Sequence, residues 1–278
     1  MNARLLFILL LFTIGALWYI IGYWRRKAGE AAFAAARLTE KSEERERYCR
    51  LAVMAGHREA CRMFCLLHPE RFDGHSPHKP FKLRGIRISF YGYYYPSRYN
   101  ALLNDEQRAF CHSIYQFKQG DIHGIEFFKT CMNALQLKKR PYHIMFMPCS
   151  NWIKYGQRFK RLDWYIGRHR QDLTSGLYDV DICDARESLH EAKGGEKRIL
   201  ERNYLITGKI KGKEIIIIDD VLTTGQSVVD YKEEIERCGG KVVAAIFYGK
   251  TLSMPSMLLV QIHVWGNHIA HIIERMTK

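Results

Sequence analysis

Ile215, Ile216, Ile217 and Ile218 stand in a row without polar alternation, and Asp219, Asp220, Val221, Leu222, Thr223, Thr224, Gly225, Gln226 and Ser227 follow at once. A strand apolar on both faces belongs in the middle of a parallel sheet, where helices cover it from both sides. Such a run does not fit an all-helical chain, or a sheet with one wet face. The flanking pattern agrees. Apolar periodicity predicts helices over 106–118 and 124–137, a strand over 143–147, a helix over 159–172 and a strand over 178–183. The isoleucine strand, a helix over 226–238 and a strand over 241–247 complete an alternation that defines an α/β fold class.

In open parallel sheets, ligands bind beyond the carboxyl ends of the strands, so Asp219 and Asp220 are expected to face a site. Thr223, Thr224, Gly225, Gln226 and Ser227 form a short hydroxyl-rich turn whose N–H groups and following helix end suit a phosphate. One half of this arrangement is acidic and the other attracts anions. A ribose 5-phosphate satisfies both, its hydroxyls donating to the aspartates and its phosphate seated in the turn. The competing reading is a buried strand with solvated aspartates and a helix cap at Thr224 or Ser227, but a cap requires neither the acidic pair nor the second threonine. A Walker-type nucleotide site is excluded by the missing Gly-Lys-Ser/Thr.

The order of four apolar residues, two acids, a short link and a Thr-Gly-x-Ser turn closely resembles the signature of type I phosphoribosyltransferases. Within that superfamily it is most similar to the ComF-type competence proteins. Tyr115 to Asp121 look like that family's helix-ending stretch, Met147, Pro148, Cys149 and Ser150 like its first strand end, and Phe247 to Thr251 like its closing strand. The resemblance spans about 105–251. The family's Arg-Gly-Phe-Asn-Gln stretch corresponds to Tyr155, Gly156, Gln157, Arg158 and Phe159, which keep the glycine and lose the Asn-Gln pair. The family's cysteine-rich zinc module has no counterpart.

The resemblance implies a parallel-sheet, Rossmann-like domain that binds 5-phosphoribosyl 1-pyrophosphate with Mg2+. The ion would be carried through the ligand near Asp219 and Asp220, not bound by the protein alone. It implies catalytic roles for Asp219 and Asp220 and phosphate binding by Thr223, Thr224, Gly225, Gln226 and Ser227. Cys149, Ser150 and Asn151 would bind pyrophosphate through backbone groups. The segment 186–198, with Lys193, Gly194, Gly195, Lys197 and Arg198, would form a mobile lid, or else a solvated charged loop. The activity implied is transfer of phosphoribose to a nitrogen base. The alternative is a non-catalytic accessory protein of DNA uptake or a regulatory ligand sensor.

Ahead of this domain, Leu5 to Trp24 form an uncharged run of twenty residues, long enough to cross a bilayer as a helix. A signal peptide is the alternative, but its apolar core would be shorter. Arg25, Arg26 and Lys27 follow the run, so the positive-inside bias places the rest of the chain in the cytoplasm, as a single-pass inner-membrane protein. The expected organisation is an anchor over 1–27, a helical stalk and linker over 28–79, and the ligand-binding domain over 80–278. A strand over 257–264 is expected to precede a final helix. The eight cysteines include no CxxC pair, which supports neither a disulfide framework nor a four-thiolate zinc site. His57, Cys61, Cys65 and His68 lie at near-helical spacing that cannot surround one ion. The net charge of +14 suits a phosphorylated ligand, an anionic membrane or nucleic acid. Tyr91, Tyr93, Tyr94, Tyr95 and Tyr99, mixed with Arg87 and Arg98, fit either a single-strand binding surface or a packed β-edge or hairpin.

Overall fold

The computed structural model describes residues 3–122, 124–182 and 203–277, with the backbone alone over 3–9. In chain order the elements are α1 (Ala3–Leu38), α2 (Ser42–Met54), α3 (Arg58–Leu67), α4 (Pro69–Asp73), β1 (Phe81–Leu83) and β2 (Ile86–Tyr94). Then come α5 (Asp105–Gln119), α6 (Ile125–Leu135), β3 (Tyr142–Phe146), α7 (Trp152–His169), β4 (Leu173–Ser175), β5 (Val180–Ile182) and β6 (Tyr204–Ile206). The last are β7 (Glu214–Leu222), α8 (Gln226–Arg237), β8 (Lys241–Thr251) and α9 (Met257–Met276). The chain divides into two compact units: Met1–Gly74 with Tyr99–Leu103 and Ser253–Lys278, and His75–Arg98 with Asn104–Leu252.

The first unit is helical. Gly56, at φ +89°, breaks the expected 42–67 helix into α2 and α3, and His57 caps α3 by accepting the Ala60 N–H. Cys49, Ala52, Val53, Ala60, Cys61, Phe64 and Cys65 pack with Val260 and Val264 of α9. The cysteines are thus small core residues. Burial raises the thiols of Cys49 and Cys65 to about 12 and that of Cys61 to about 11, which keeps all three protonated. The strand expected over 257–264 is the start of α9. Its buried residues Val260 and Val264 lie four apart, the helical interval, and Ser256 caps the first turn by accepting the Leu259 N–H. No helix among the described residues is long and apolar enough to cross a membrane. The expected span begins at Leu5, and the side chains before Leu10 fall outside those described.

The second unit is built on a sheet of order β1-β2-β8-β7-β3-β4 among the described residues. All neighbouring pairs are parallel except the β1–β2 hairpin. Ile216 and Ile218 of β7 join Ile144, Phe146, Ala244 and Ile246 in the core that contains Phe117, Phe127, Phe159 and Leu162 of α5, α6 and α7. Ile215 faces the other way: a Cβ at Gly240 would touch both its Cδ1 and Ile235 of α8. Both faces are covered, as the unbroken isoleucine run requires.

Three local expectations change. The helix begins at Trp152 because Asn151 caps it, accepting the Lys154 N–H at 2.9 Å. The sheet strand after it is the three-residue β4. The predicted strand around 180 pairs instead with β6 in a separate ribbon. The tyrosine-rich segment is β2, bonded on both sides, with β1 at the edge. Tyr93 and Tyr95 are buried, and Tyr91 lies 5.8 Å from Tyr248. Packing occupies the rings that a base-stacking surface would need.

Candidate functional site

β3 and β7 are adjacent and parallel, but the chain leaves them in opposite directions along the sheet. After β3 it runs through α7 to β4. After β7 it runs through α8 to β8. This is a switch point, and the two following loops part to leave a crevice. The crevice opens where β3 ends. Phe146 pairs with Ile218 as the last β3–β7 rung, whereas β7 continues beside β8 to Leu222. The aspartates therefore lie inside the strand and not beyond its end, with no β3 partner beside them.

Three expected groups converge here through the topology. Asp219 and Asp220 sit on the extended part of β7, Cys149, Ser150 and Asn151 follow β3, and Thr223 to Ser227 form the turn into α8. Asn203 Nδ2 donates to the carbonyls of Cys149 at 3.2 Å and Ser150 at 3.4 Å. With those carbonyls held, planar trans peptides turn the N–H groups of Ser150 and Asn151 the opposite way. The Cys149 side chain is buried, which pushes its thiol up to about 12 and leaves it neutral.

In the turn, Thr223, Thr224, Gln226 and Ser227 are exposed, while Gly225 is buried at φ +78°. That φ favours glycine whatever the space around it, and a Cβ there would also meet Leu83 Cδ2 of the β1–β2 hairpin at 2.2 Å. At that hairpin's tip Arg84 donates to Gln226 Oε1 at 2.6 Å. The lid residues Lys193, Gly194, Gly195, Lys197 and Arg198 lie outside the described residues.

Sequence reasoning assigned the acidic pair no partner, and the structure provides two. Arg158 Nη1 lies 2.7 Å from Asp220 Oδ2 and 3.7 Å from Asp219 Oδ1. Lys118 Nζ lies 3.4 Å from the same Asp220 Oδ2. Burial works against the charge of Arg158, but the facing carboxylates, Asp220 first, outweigh it and its pKa is raised. Asp219 is pushed up to about 7, first by burial and then by the neighbouring Asp220 charge.

How Lys118 arrives is readable from α5. Phe110, Ile114 and Lys118 are spaced by four and form one row along the helix. Phe110 lies over Gly92 of β2 and Ile114 over Gly249 of β8, where added Cβ atoms would come within 2.5 and 2.6 Å. Gly92, Gly249 and Val221 are consecutive partners across the sheet. The row thus crosses β2 and β8 and ends at β7, beside Asp220. Arg158 also had a signal in the sequence: it sits between Tyr155 and Leu162, on the apolar stripe that buries α7. A cation in such a stripe requires an anionic partner.

These residues do not by themselves make a Mg2+ site. Magnesium takes one or two carboxylates with water and phosphate oxygens in an octahedron, but both carboxylates here are already engaged by cations. Among the described residues no group of three or more His, Cys, Asp or Glu could hold a metal ion.

The acidic pair, the glycine turn and the switch point occur on one β–turn–α unit, and comparison with known families falls on that unit. Residues 171–251 match the phosphoribosyl transferase domain family. The match supports the type I phosphoribosyltransferase superfamily, and the mixed α/β unit with its mostly parallel sheet fits that fold. It includes Asp219 to Ser227 and leaves out Lys118, Cys149 to Asn151 and Arg158. The chain is also 42% identical over 57 residues to an orotate phosphoribosyltransferase of Sulfolobus acidocaldarius, an alignment covering 20% of this chain. The chain spans about a quarter (26%) of the length of that curated relative.

Proposed function

We propose that the second unit binds 5-phosphoribosyl 1-pyrophosphate, or another ribose 5-phosphate, as a phosphoribosyltransferase-like protein of ComF type. The observation that carries this reading is the placement of the acidic pair and the phosphate turn on one strand and its following helix, beside the loop after β3. In this reading the ribose hydroxyls donate to Asp219 and Asp220. The 5-phosphate accepts from N–H and hydroxyl groups of Thr223 to Ser227. The pyrophosphate accepts from the backbone of Cys149 to Asn151. For transfer to a nitrogen base, the carboxylates would stabilise positive charge developing on the ribose ring as the pyrophosphate departs.

A second reading, a ligand sensor or accessory protein without turnover, is favoured by one feature: the charges of Asp219 and Asp220 are already matched by Arg158 and Lys118. Both readings require the ligand. Calorimetry of the full-length chain with ribose 5-phosphate separates them from a purely structural motif: binding lost in Thr224→Val supports the site, and no binding by the parent chain refutes it. Turnover of the pyrophosphate donor then distinguishes enzyme from sensor.

The proposal includes a membrane tether through Leu5 to Trp24, with the ligand-binding unit on the cytoplasmic side of the inner membrane. It is supported by the apolar surface that α1 leaves open. Phe12, Trp18 and Tyr19 are 75, 74 and 76% exposed, a poor surface for water and a suitable one for lipid.

A further inference from the structure

We infer that Arg158 and Lys118 take the place of a divalent cation, so that the site binds its phosphoribosyl ligand without Mg2+. This inference rests on the ribose-phosphate reading above and adds what balances charge within it.

Three of the four carboxylate oxygens are already committed. Asp220 Oδ2 faces Arg158 at 2.7 Å and Lys118 at 3.4 Å, and Asp220 Oδ1 accepts the Val221 N–H at 2.6 Å. Asp219 Oδ1 accepts the Asp220 N–H at 2.7 Å and has Arg158 at 3.7 Å. A magnesium ion needs carboxylate oxygens at roughly 2.1 Å and dehydrates reluctantly. Carried in on the ligand, the ion would instead come to rest beside the Arg158 guanidinium, whose side chain is only 16% exposed, and be repelled by it.

The electrostatics point the same way. An isolated acidic pair would attract a cation, but here Arg158 and Lys118 face the pair, so two positive charges meet at most two negative ones. A free divalent ion gains little by entering. An anionic ligand gains more: a pyrophosphate brought to the crevice meets Lys118, whose side chain is 36% exposed and can reorient. Arg158 adds a second observation. Its Nε is buried and has no hydrogen-bond partner among the described residues, although buried donors are normally satisfied. A ligand oxygen would satisfy it, whereas a metal ion, being a cation, could not.

The experiment is calorimetry of the full-length chain in detergent, with 5-phosphoribosyl 1-pyrophosphate as ligand, in EDTA and in excess Mg2+. Affinities within about threefold of each other are expected, and titration of the apo protein with Mg2+ alone should give no binding heat. Arg158→Gln should weaken binding in EDTA by about tenfold or more, the loss of one charge-assisted hydrogen bond, with Mg2+ restoring part of it. Should Arg158→Gln fail to fold, Lys118→Gln, which changes a half-exposed group, carries the same test with the same expected direction. Binding by the parent that disappears in EDTA overturns the inference and leaves the ribose-phosphate reading intact. Binding in neither condition overturns both. Unchanged affinity of the folded variants in EDTA overturns the charge role assigned to Arg158 and Lys118.

Discussion

The two aspartates are neighbours in sequence, yet their replacement by asparagine should affect stability with opposite signs. Asp219 is the informative one. Burial, and after it the neighbouring Asp220 charge, push its carboxyl up to about 7 in the folded chain from 3.8 for the ordinary side chain. Below pH 3.8 the acid is protonated in both states and the folded state carries no penalty. As pH rises from about 4 to about 7, the unfolded chain ionises first, so this group's contribution to stability is lost on that interval and stays lost above it. The difference between 3.8 and about 7 amounts to roughly 4 kcal/mol. An asparagine side chain at this position would mimic the protonated acid at every pH. Asp219→Asn should therefore match the parent near pH 4 and exceed it near pH 8 by a few kcal/mol, up to about 4. Urea unfolding followed by tryptophan fluorescence would measure this. With Trp18, Trp24 and Trp265 changed to Phe, the signal comes only from Trp152 and Trp164, both in the second unit. If Asp219→Asn is less stable than the parent at pH 8, or if the difference does not vary with pH, Asp219 rests as a carboxylate paired with Arg158 and the argument fails.

Asp220→Asn removes the 2.7 Å partner of Arg158 and leaves a buried guanidinium underpaired, so a loss of about 3 to 5 kcal/mol is expected in the same urea assay. Gly225→Ala forces a side chain onto φ +78° against Leu83 and should cost about 2 kcal/mol. It should also abolish ribose 5-phosphate binding in calorimetry, and retained affinity would mean the turn does not seat the phosphate. Membrane fractionation should recover the chain with the bilayer, and a carboxyl-terminal reporter should be active in the cytoplasm. A reporter active only outside the cytoplasm would reverse the orientation.

The parts of the second unit legible in the sequence were those where one residue type admits one environment. Four isoleucines in a row can be satisfied only between two helical layers. β4 escaped because Leu173, Thr174 and Ser175 are too few to establish a period. The start of α7 escaped because its first residues, Trp152, Ile153 and Lys154, are exposed and add nothing to the apolar stripe that marks the helix. The 257–264 segment read as a strand because its β-branched and apolar residues outweighed the four-residue interval between Val260 and Val264. In the candidate site, the carboxylates and the turn from Thr223 to Ser227 are contiguous and therefore visible. Their cations come from α5 and α7, 101 and 61 positions before Asp219 by residue number, and only three-dimensional packing brings them together. A charged residue on a buried stripe was the trace Arg158 left.

The glycines under α5 carry a different kind of consequence. Phe110 and Ile114 rest on bare backbone at Gly92 and Gly249, so α5 packs closely on the sheet where two methyl groups are missing. An alanine at either position would push the Phe110 ring or the tip of Ile114 aside, and wherever those side chains have no room to turn it would lift α5 and draw the Lys118 ammonium away from Asp220. The charge beside Asp219 and Asp220 is therefore sensitive to residues of β2 and β8 that touch neither aspartate.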